Sequence, residues 1–201
     1  MSTERILVTG GAGYVGSLLV TELLSRGHTV RVLDSLLHGS VPSLLGVWAH
    51  PGLEFVRGDV RDADARATAL EGVGSVVHLA AIVGDPACSR EPDDARSVNL
   101  EATRSLVREA RGAGVSRFVF ASTCSNYGKV EGDNVANEEW DLNPVSLYAE
   151  TKVAAELDVL AQSADLCTTC LRLATVYGTS GRMRFDLTVN EFTRDIVLGK
   201  D

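Results

Sequence analysis

The chain has 201 residues, of which 45% are hydrophobic, 23% charged and 5% aromatic. These values belong to globular domains and exclude disordered, collagen-like or disulfide-stapled chains. Nineteen Lys and Arg against 27 Asp and Glu leave a formal net charge of −8, which repels phosphate backbones and anionic lipid and argues against nucleic-acid and membrane-surface partners. No apolar run approaches the ~18–20 residues that span a bilayer, and the charged start Met1-Ser2-Thr3-Glu4-Arg5 lacks a signal-peptide core. Cys88, Cys124, Cys167 and Cys170 have no framework spacing, which suits a reducing, cytoplasmic compartment.

Short β-branched runs alternate with longer segments of helical period. Arg5 to Thr9 reads as a strand, and glycines follow it. Tyr14 to Arg26 reads as a helix that groups Val15, Leu18, Leu19 and Leu23 on one face and stops at Gly27. Strands are expected at 29–33, 53–57, 75–80, 117–122 and 167–176. Helices are expected at 62–70 (with Asp62 as N-cap), 92–111 and 145–163, and a last helix-like pattern runs through 182–199. Residues 36–51 and 129–143 read as irregular, the second as an acidic surface excursion near the site. Such alternation implies an α/β fold, a parallel sheet covered on both faces.

The first strand runs into Gly10-Gly11-Ala12-Gly13-Tyr14-Val15-Gly16 and straight into a helix. Glycines there allow a tight turn, close approach of a pyrophosphate and close helix–strand packing, and the helix N-terminus offers free N–H groups to the phosphates. Asp34 ends the second strand about 20 residues on, where a carboxylate accepts hydrogen bonds from an adenosine ribose and repels a 2′-phosphate. The pair points to NAD. Arg31, within the strand pattern, argues weakly the other way.

Tyr148 and Lys152 stand one helical turn apart on one face, the one Tyr–Lys pair of this spacing in the chain. Ionising a phenol near pH 7 costs about 4 kcal/mol at its ordinary pKa, and a cation about 4 Å away returns roughly that amount. Lys152, with an oxidised nicotinamide, would make Tyr148 a working base. Ser122 and Thr123 end the fifth strand, so this hydroxyl pair is expected in the same crevice as the glycine loop.

These residues resemble the extended short-chain dehydrogenase/reductase family, and within it the NAD-dependent nucleotide-sugar epimerases and dehydratases. The matching stretches are TGGAGYVG (9–16), VLDS (32–35), GDVRD (58–62), HLAA (78–81), VNLEAT (98–103), RFVFAST (117–123), YAETK (148–152) and LRLATVYG (171–178). The resemblance implies a Rossmann-type doubly wound sheet in a single NAD-binding domain, residues 1–201, with residues 180–201 beginning a substrate lobe that is largely missing. It further implies cofactor contacts from Gly10, Gly13, Tyr14, Val15, Gly16, Asp34, Ser35, Asp59, Val60, Leu79, Ala80, Ala81, Asn99, Ser122, Tyr148 and Lys152. Thr123, Tyr148 and Lys152 would be the catalytic set, and Thr123, Tyr148, Thr175 and Arg182 would meet a nucleotide-diphosphate sugar. Helices 92–111 and 145–163 would pair two subunits of a homodimer.

Dehydratases and sugar decarboxylases of the family carry acidic residues just after the catalytic hydroxyl, where this chain has Cys124 and Ser125. That difference favours 4-epimerisation: transient oxidation at C4 to a ketose, then re-reduction on the other face. A dehydrogenase or 4-ketoreductase using NAD stoichiometrically, or a dehydratase, is the enzymatic alternative, and a catalytically silent cofactor-sensing protein is the alternative of another class. Thr175 replaces the Asn frequent in 4-epimerases at that position. Cys167 and Cys170 spell C-x-x-C but point to opposite faces of a strand, which reads as buried structural cysteines and no metal site. Cys124 is a candidate acid/base beside Thr123. His78 reads as a satisfied core histidine, and His28, His38 and His50 fall in turns. Arg184, like Arg182, follows the sixth strand near the cleft mouth.

Overall fold

Six strands pair side by side, all in parallel: β1 (Arg5–Thr9), β2 (Thr29–Asp34), β3 (Leu53–Arg57), β4 (Ser75–His78), β5 (Arg117–Thr123) and β6 (Cys167–Leu173). Their spatial order is β3-β2-β1-β4-β5-β6, so the chain reverses direction across the sheet between β1 and β4, the place where doubly wound folds bind ligands. This computed structural model describes residues 4–200 apart from 38, 40, 131 and 133. The readings made for Met1 to Thr3 and for His38 lie outside the described residues.

Helices cover both faces. On one, α1 (Tyr14–Ser25) and a 3-10 turn (Val41–Val47) enclose Val8, Val20, Leu24, Val30, Val32 and Leu44. On the other lie α2 (Ala63–Leu70), α5 (Thr103–Gly112) and α6 (Leu147–Leu160), around Leu7, Val76, Leu106, Phe118, Phe120 and Val159. Two short helices, α3 (Asp85–Arg90) and α4 (Pro92–Arg96), precede α5, and α7 (Thr188–Val197) follows the sheet. Among the described residues no helix is long and apolar enough to cross a membrane.

Several expectations change. Residues 92–111 are α4, a π turn over Ser97–Ala102 and α5, and the Thr103 hydroxyl inside this run donates to the Asn99 carbonyl at 2.9 Å. Residues 41–47, read as irregular, are helical, and so are 85–90, for which no element is expected. β4 stops at His78 because Ala80 N–H turns to the Thr9 hydroxyl (3.3 Å) as β1 itself ends. β6 stops at Leu173, opposite Thr123, where its sole ladder partner ends. The helix expected over 182–199 covers only Thr188–Val197. In α1 the buried face is Tyr14, Gly16, Ser17, Val20 and Leu24, while Val15 and Leu18 are exposed. Gly16 must face the loop backbone, and this sets the helix rotation. Cys167 is exposed, since β6 is an edge strand, and Cys170 is half-buried. Asp62 caps α2 as expected, accepting from Asp64 N–H at 2.9 Å.

Arg31 is buried in β2 and faces away from the ribose end of the strand. One of its nitrogens donates to the carbonyls of Thr68, Ala69 and Glu71 (3.1, 3.0 and 2.7 Å), and Nε meets Glu54 at 2.8 Å. The guanidinium therefore satisfies the C-terminal carbonyls of α2 that have no intrahelical donor and has no part in phosphate recognition. Arg31→Met is expected to lower the unfolding free energy by about 3 kcal/mol. Urea unfolding should show a lower midpoint at unchanged slope, with NAD affinity unaltered.

Candidate active site

The glycine loop is built by backbone contacts that side chains would break. Gly10 adopts a left-handed φ of +70°, and a Cβ there would lie 2.8 Å from the Ala80 nitrogen. A Cβ on Gly16 would strike the Gly10 carbonyl and the Gly11 backbone. Gly13 is the N-cap of α1 in an extended conformation, with its N–H on the Gly10 carbonyl at 3.0 Å. Asp34 closes the other side: its carboxylate accepts Ala12 N–H at 3.0 Å and Leu36 N–H at 2.8 Å. This cradle, a bare helix N-terminus edged by a carboxylate, fits an adenine dinucleotide, and Gly10, Gly13, Gly16 and Asp34 are the residues that would hold it.

The strand ends beside the loop carry the remaining expected contacts. Ala80 and Leu79 pack on Gly10. Asn99, in the π turn, is 1% exposed and both accepts from Ile82 N–H (2.8 Å) and donates to its carbonyl (2.9 Å), bracing the segment that leaves β4. Val60 is buried, and Asp59 pairs with Arg61 (2.7 Å), which holds Asp94 as well. Hydrogen bonds from Arg61 hold the Asp59 carboxyl below its usual range. Ser35 and Thr175 are exposed.

Beneath this edge a polar chain crosses the core with a fixed direction. Because the Thr103 hydroxyl is spent on the Asn99 carbonyl, it accepts from His78 Nε2 (2.8 Å); Nδ1 then accepts from the Thr9 hydroxyl (2.6 Å), which receives Ala80 N–H. His78 is a satisfied core histidine, as expected, and burial drives its pKa down to about 3. Its ring stacks on Phe120 at 5.7 Å, and the Lys152 ammonium sits 4.2 Å from the centre of that same ring.

The expected catalytic residues fall on two neighbouring elements. Thr123 ends β5 and caps a 3-10 turn (Cys124–Tyr127) by accepting Ser125 N–H at 3.1 Å. Tyr148 and Lys152 stand in the first two turns of α6, whose N-cap Ser146 accepts Ala149 N–H at 3.3 Å. Two corrections follow. The Ser122 hydroxyl turns inward to accept from Asn126 (3.0 Å), since alternate strand residues face opposite ways. Burial also pushes Tyr148 up to about 12, and the cation that opposes the rise most is Arg184, not Lys152. Lys152 lies back against Phe120 instead, 3% exposed, where burial pulls its pKa down to about 8. Cys88 shares this space, 0% exposed, with its thiol pushed up by burial. No signal in the sequence marked it.

The segment after β6 is clipped onto the first turn of α1. The Tyr14 hydroxyl donates to the Gly178 carbonyl (2.7 Å) and accepts from Asn190 (3.0 Å), while the Ser180 hydroxyl donates to the Tyr14 carbonyl (2.7 Å). Tyr14 thus offers the cofactor only its backbone. Arg182 follows directly, its N–H on the Ser180 hydroxyl at 3.3 Å. It pairs with no carboxylate among the described residues, and burial, then Arg184, lowers its pKa.

A family model described as NAD dependent epimerase/dehydratase matches residues 6–200. The chain belongs to this family. It is 40% identical over 197 residues to a 3 beta-hydroxysteroid dehydrogenase/Delta 5-->4-isomerase of Mycobacterium tuberculosis, covering 92% of this chain and 51% of that protein. It is 36% identical over 177 residues to a UDP-glucose 4-epimerase of Mycolicibacterium smegmatis, covering 87% and 56%. Among solved structures, Thermus thermophilus UDP-glucose 4-epimerase in complex with NAD superposes with a TM-score of 0.84 at 35% identity, over 98% of this chain and 63% of that one. The chain spans about half the length of the curated relatives it matches. The family is NAD-dependent and its fold is the Rossmann-type sheet described above.

The depressed Lys152 pKa has a consequence for stability. An unfolded lysine binds its proton up to about pH 10.5 and the buried one only to about 8. Between those values the unfolded state holds more protons, and stability rises with pH. Chemical denaturation at stepped pH should show that rise in the wild type, and Lys152→Met should flatten it.

Proposed function

We propose that this protein is an NAD-dependent nucleotide-sugar 4-epimerase. The observation that carries the reading is the composition of the β5 edge. Thr123 stands at the strand end, and the next two positions, both exposed, are Cys124 and Ser125, so no carboxylic acid adjoins it for elimination or decarboxylation. Likeness to UDP-glucose 4-epimerases supports the same class of substrate.

NAD, when bound, supplies the hydride acceptor and a positive ring beside the phenol. Tyr148 takes the proton of the substrate hydroxyl and returns it after the ketose has presented its other face. Thr123 holds that hydroxyl by hydrogen bonding, and Lys152 orients the cofactor ribose, leaving the positive nicotinamide and Arg184 to favour the phenolate. Tyr148, raised to about 12 without a ligand, is a poor base until cationic charge is added, which restricts proton removal to the loaded cleft. Arg182 and Arg184 would face the nucleotide diphosphate, and Gly10, Gly13, Gly16 and Asp34 the dinucleotide. We further infer a homodimer through α5 and α6, where Leu157 and Leu160 are exposed, in a reducing compartment that suits four free thiols.

A second reading is an NAD-consuming dehydrogenase acting on a hydroxylated ring, favoured by the 40% identity to a steroid dehydrogenase/isomerase. The fate of the cofactor separates the two. Incubated with NAD and UDP- or dTDP-hexoses, the protein should invert C4 with no net NADH, and Tyr148→Phe should slow this about 10²–10⁴-fold. Net NADH from a 3β-hydroxysteroid, with hexoses untouched, would establish the dehydrogenase; equal turnover in the wild type and Tyr148→Phe would return the protein to a cofactor-sensing role.

A further inference from the structure

One turn beyond Lys152 on α6, Glu156 is 1% exposed. Arg172 of β6 grips it with Nε (3.1 and 3.2 Å) and a terminal nitrogen (2.8 Å). Asn126, in the turn that Thr123 caps, donates to it at 2.8 Å. The same Asn126 nitrogen donates to Ser122, and the Asn126 carbonyl receives Asn143 N–H (3.0 Å). Arg172 also reaches the Tyr127 hydroxyl (3.1 Å) and the Glu138 carbonyl (3.3 Å). Three pieces of chain meet at one carboxylate, the helix of Tyr148 and Lys152, the turn after Thr123 and β6, and Arg172 and Asn126 carry the network on to Glu138 and Asn143.

Stability does not account for this arrangement. A buried ion pair is commonly no better than the apolar residues that could replace it, and this one leaves Asn126 Oδ1 buried without a partner, itself a cost to stability. What the network does is join the two elements whose separation sets the cleft and put negative charge one turn from a buried ammonium.

We propose that Glu156 is the positioning residue of the cleft, fixing the Thr123 turn against α6 and acting as the counter-charge to Lys152. This rests on reading Thr123, Tyr148 and Lys152 as the catalytic set. The groups that act on Lys152 are Glu156 on α6, Cys170 on β6 and Cys88 on α3, with Phe120 on β5 and His78 on β4 beside it; Tyr148 stands one turn back on α6. Burial keeps the two thiols and the phenol protonated and His78 uncharged at neutral pH. Glu156 is then the charge that opposes the pull of burial on Lys152, and Arg172 partly cancels it.

The two partners are therefore expected to shift Lys152 in opposite senses. Glu156→Gln removes the negative charge, so the ammonium gives up its proton at lower pH. Arg172→Gln leaves the carboxylate uncancelled, so the proton is held to higher pH. Lysine-labelled full-length protein with NAD, titrated by NMR, should show the Lys152 midpoint falling by about one unit in Glu156→Gln and rising in Arg172→Gln, with Glu156→Asp near wild type. The alkaline limb of the hexose turnover profile should move in the same two directions. Midpoints that move the same way in both glutamine variants, or that stay in place, overturn the proposal. Should Glu156→Gln fail to fold, the rise in Arg172→Gln alone decides. The titration needs no substrate, so if Tyr148→Phe retains full turnover, the catalytic reading fails while the counter-charge result stands or falls separately.

Discussion

A buried ammonium with no carboxylate within ion-pair distance among the described residues lies behind the carboxyl edge of the sheet, at Lys152, and the cleft is organised around that charge. The Phe120 ring receives it from below and His78 stays neutral beside it. Such a charge persists in low dielectric only where something nearby favours it. Glu156 is the resident group that does, and burial keeps Tyr148 protonated at neutral pH. On the proposed function, these electrostatics suit a base that its cofactor would switch on.

At the other end of the cleft a carboxylate does two jobs. Asp34 binds the N–H groups of Ala12 and Leu36, one on each oxygen, and so shapes the glycine loop before any ligand arrives. Leu36 takes a left-handed φ of +57° as part of this turn. Each oxygen keeps a lone pair for a ribose hydroxyl. On the proposed function, loss of Asp34 would weaken the loop and ribose recognition together, and an acidic residue at the end of a second strand would be informative for that double reason.

The sequence displayed whatever depends on local pattern or on residues that tolerate no substitute. The six strands, the glycine loop, the Asp62 cap and the Tyr148–Lys152 spacing all follow from periodicity, from glycine sterics or from one helical turn. It hid what depends on side-chain direction across distant elements. Arg31 reads as a possible phosphate ligand until its donors are seen on the carbonyls of α2. Lys152 shares a helix face with Tyr148 yet leans toward β5, so the spacing alone overstated its hold on the phenol. Glu156 carried a usable signal, a charged residue four positions beyond Lys152 on a face otherwise of small or apolar residues. Its partner Arg172 lies on an edge strand whose pairing no local pattern reveals. The rotation of α1 was misread because Gly16, which contributes nothing to an apolar stripe, decides which way the helix faces.

The first turn of α1 serves two neighbours, and this links parts of the cleft that the chain order separates. Its N–H groups face the phosphate position, while the side chain and carbonyl of Tyr14 hold Gly178, Ser180 and Asn190. Asn190 uses every polar atom of its side chain here, since its oxygen also accepts Gly178 N–H (3.0 Å) and its nitrogen reaches the Arg184 carbonyl (3.0 Å). Arg182 and Arg184 are therefore positioned by the same residues that shape the cofactor turn. A rearrangement of the glycine loop cannot leave them where they are without breaking buried hydrogen bonds worth about 1 kcal/mol each or more. The first turn of α1 and the backbone that carries the two arginines are in this way one structural unit, and on the proposed function the seating of a cofactor would be coupled to the placement of both.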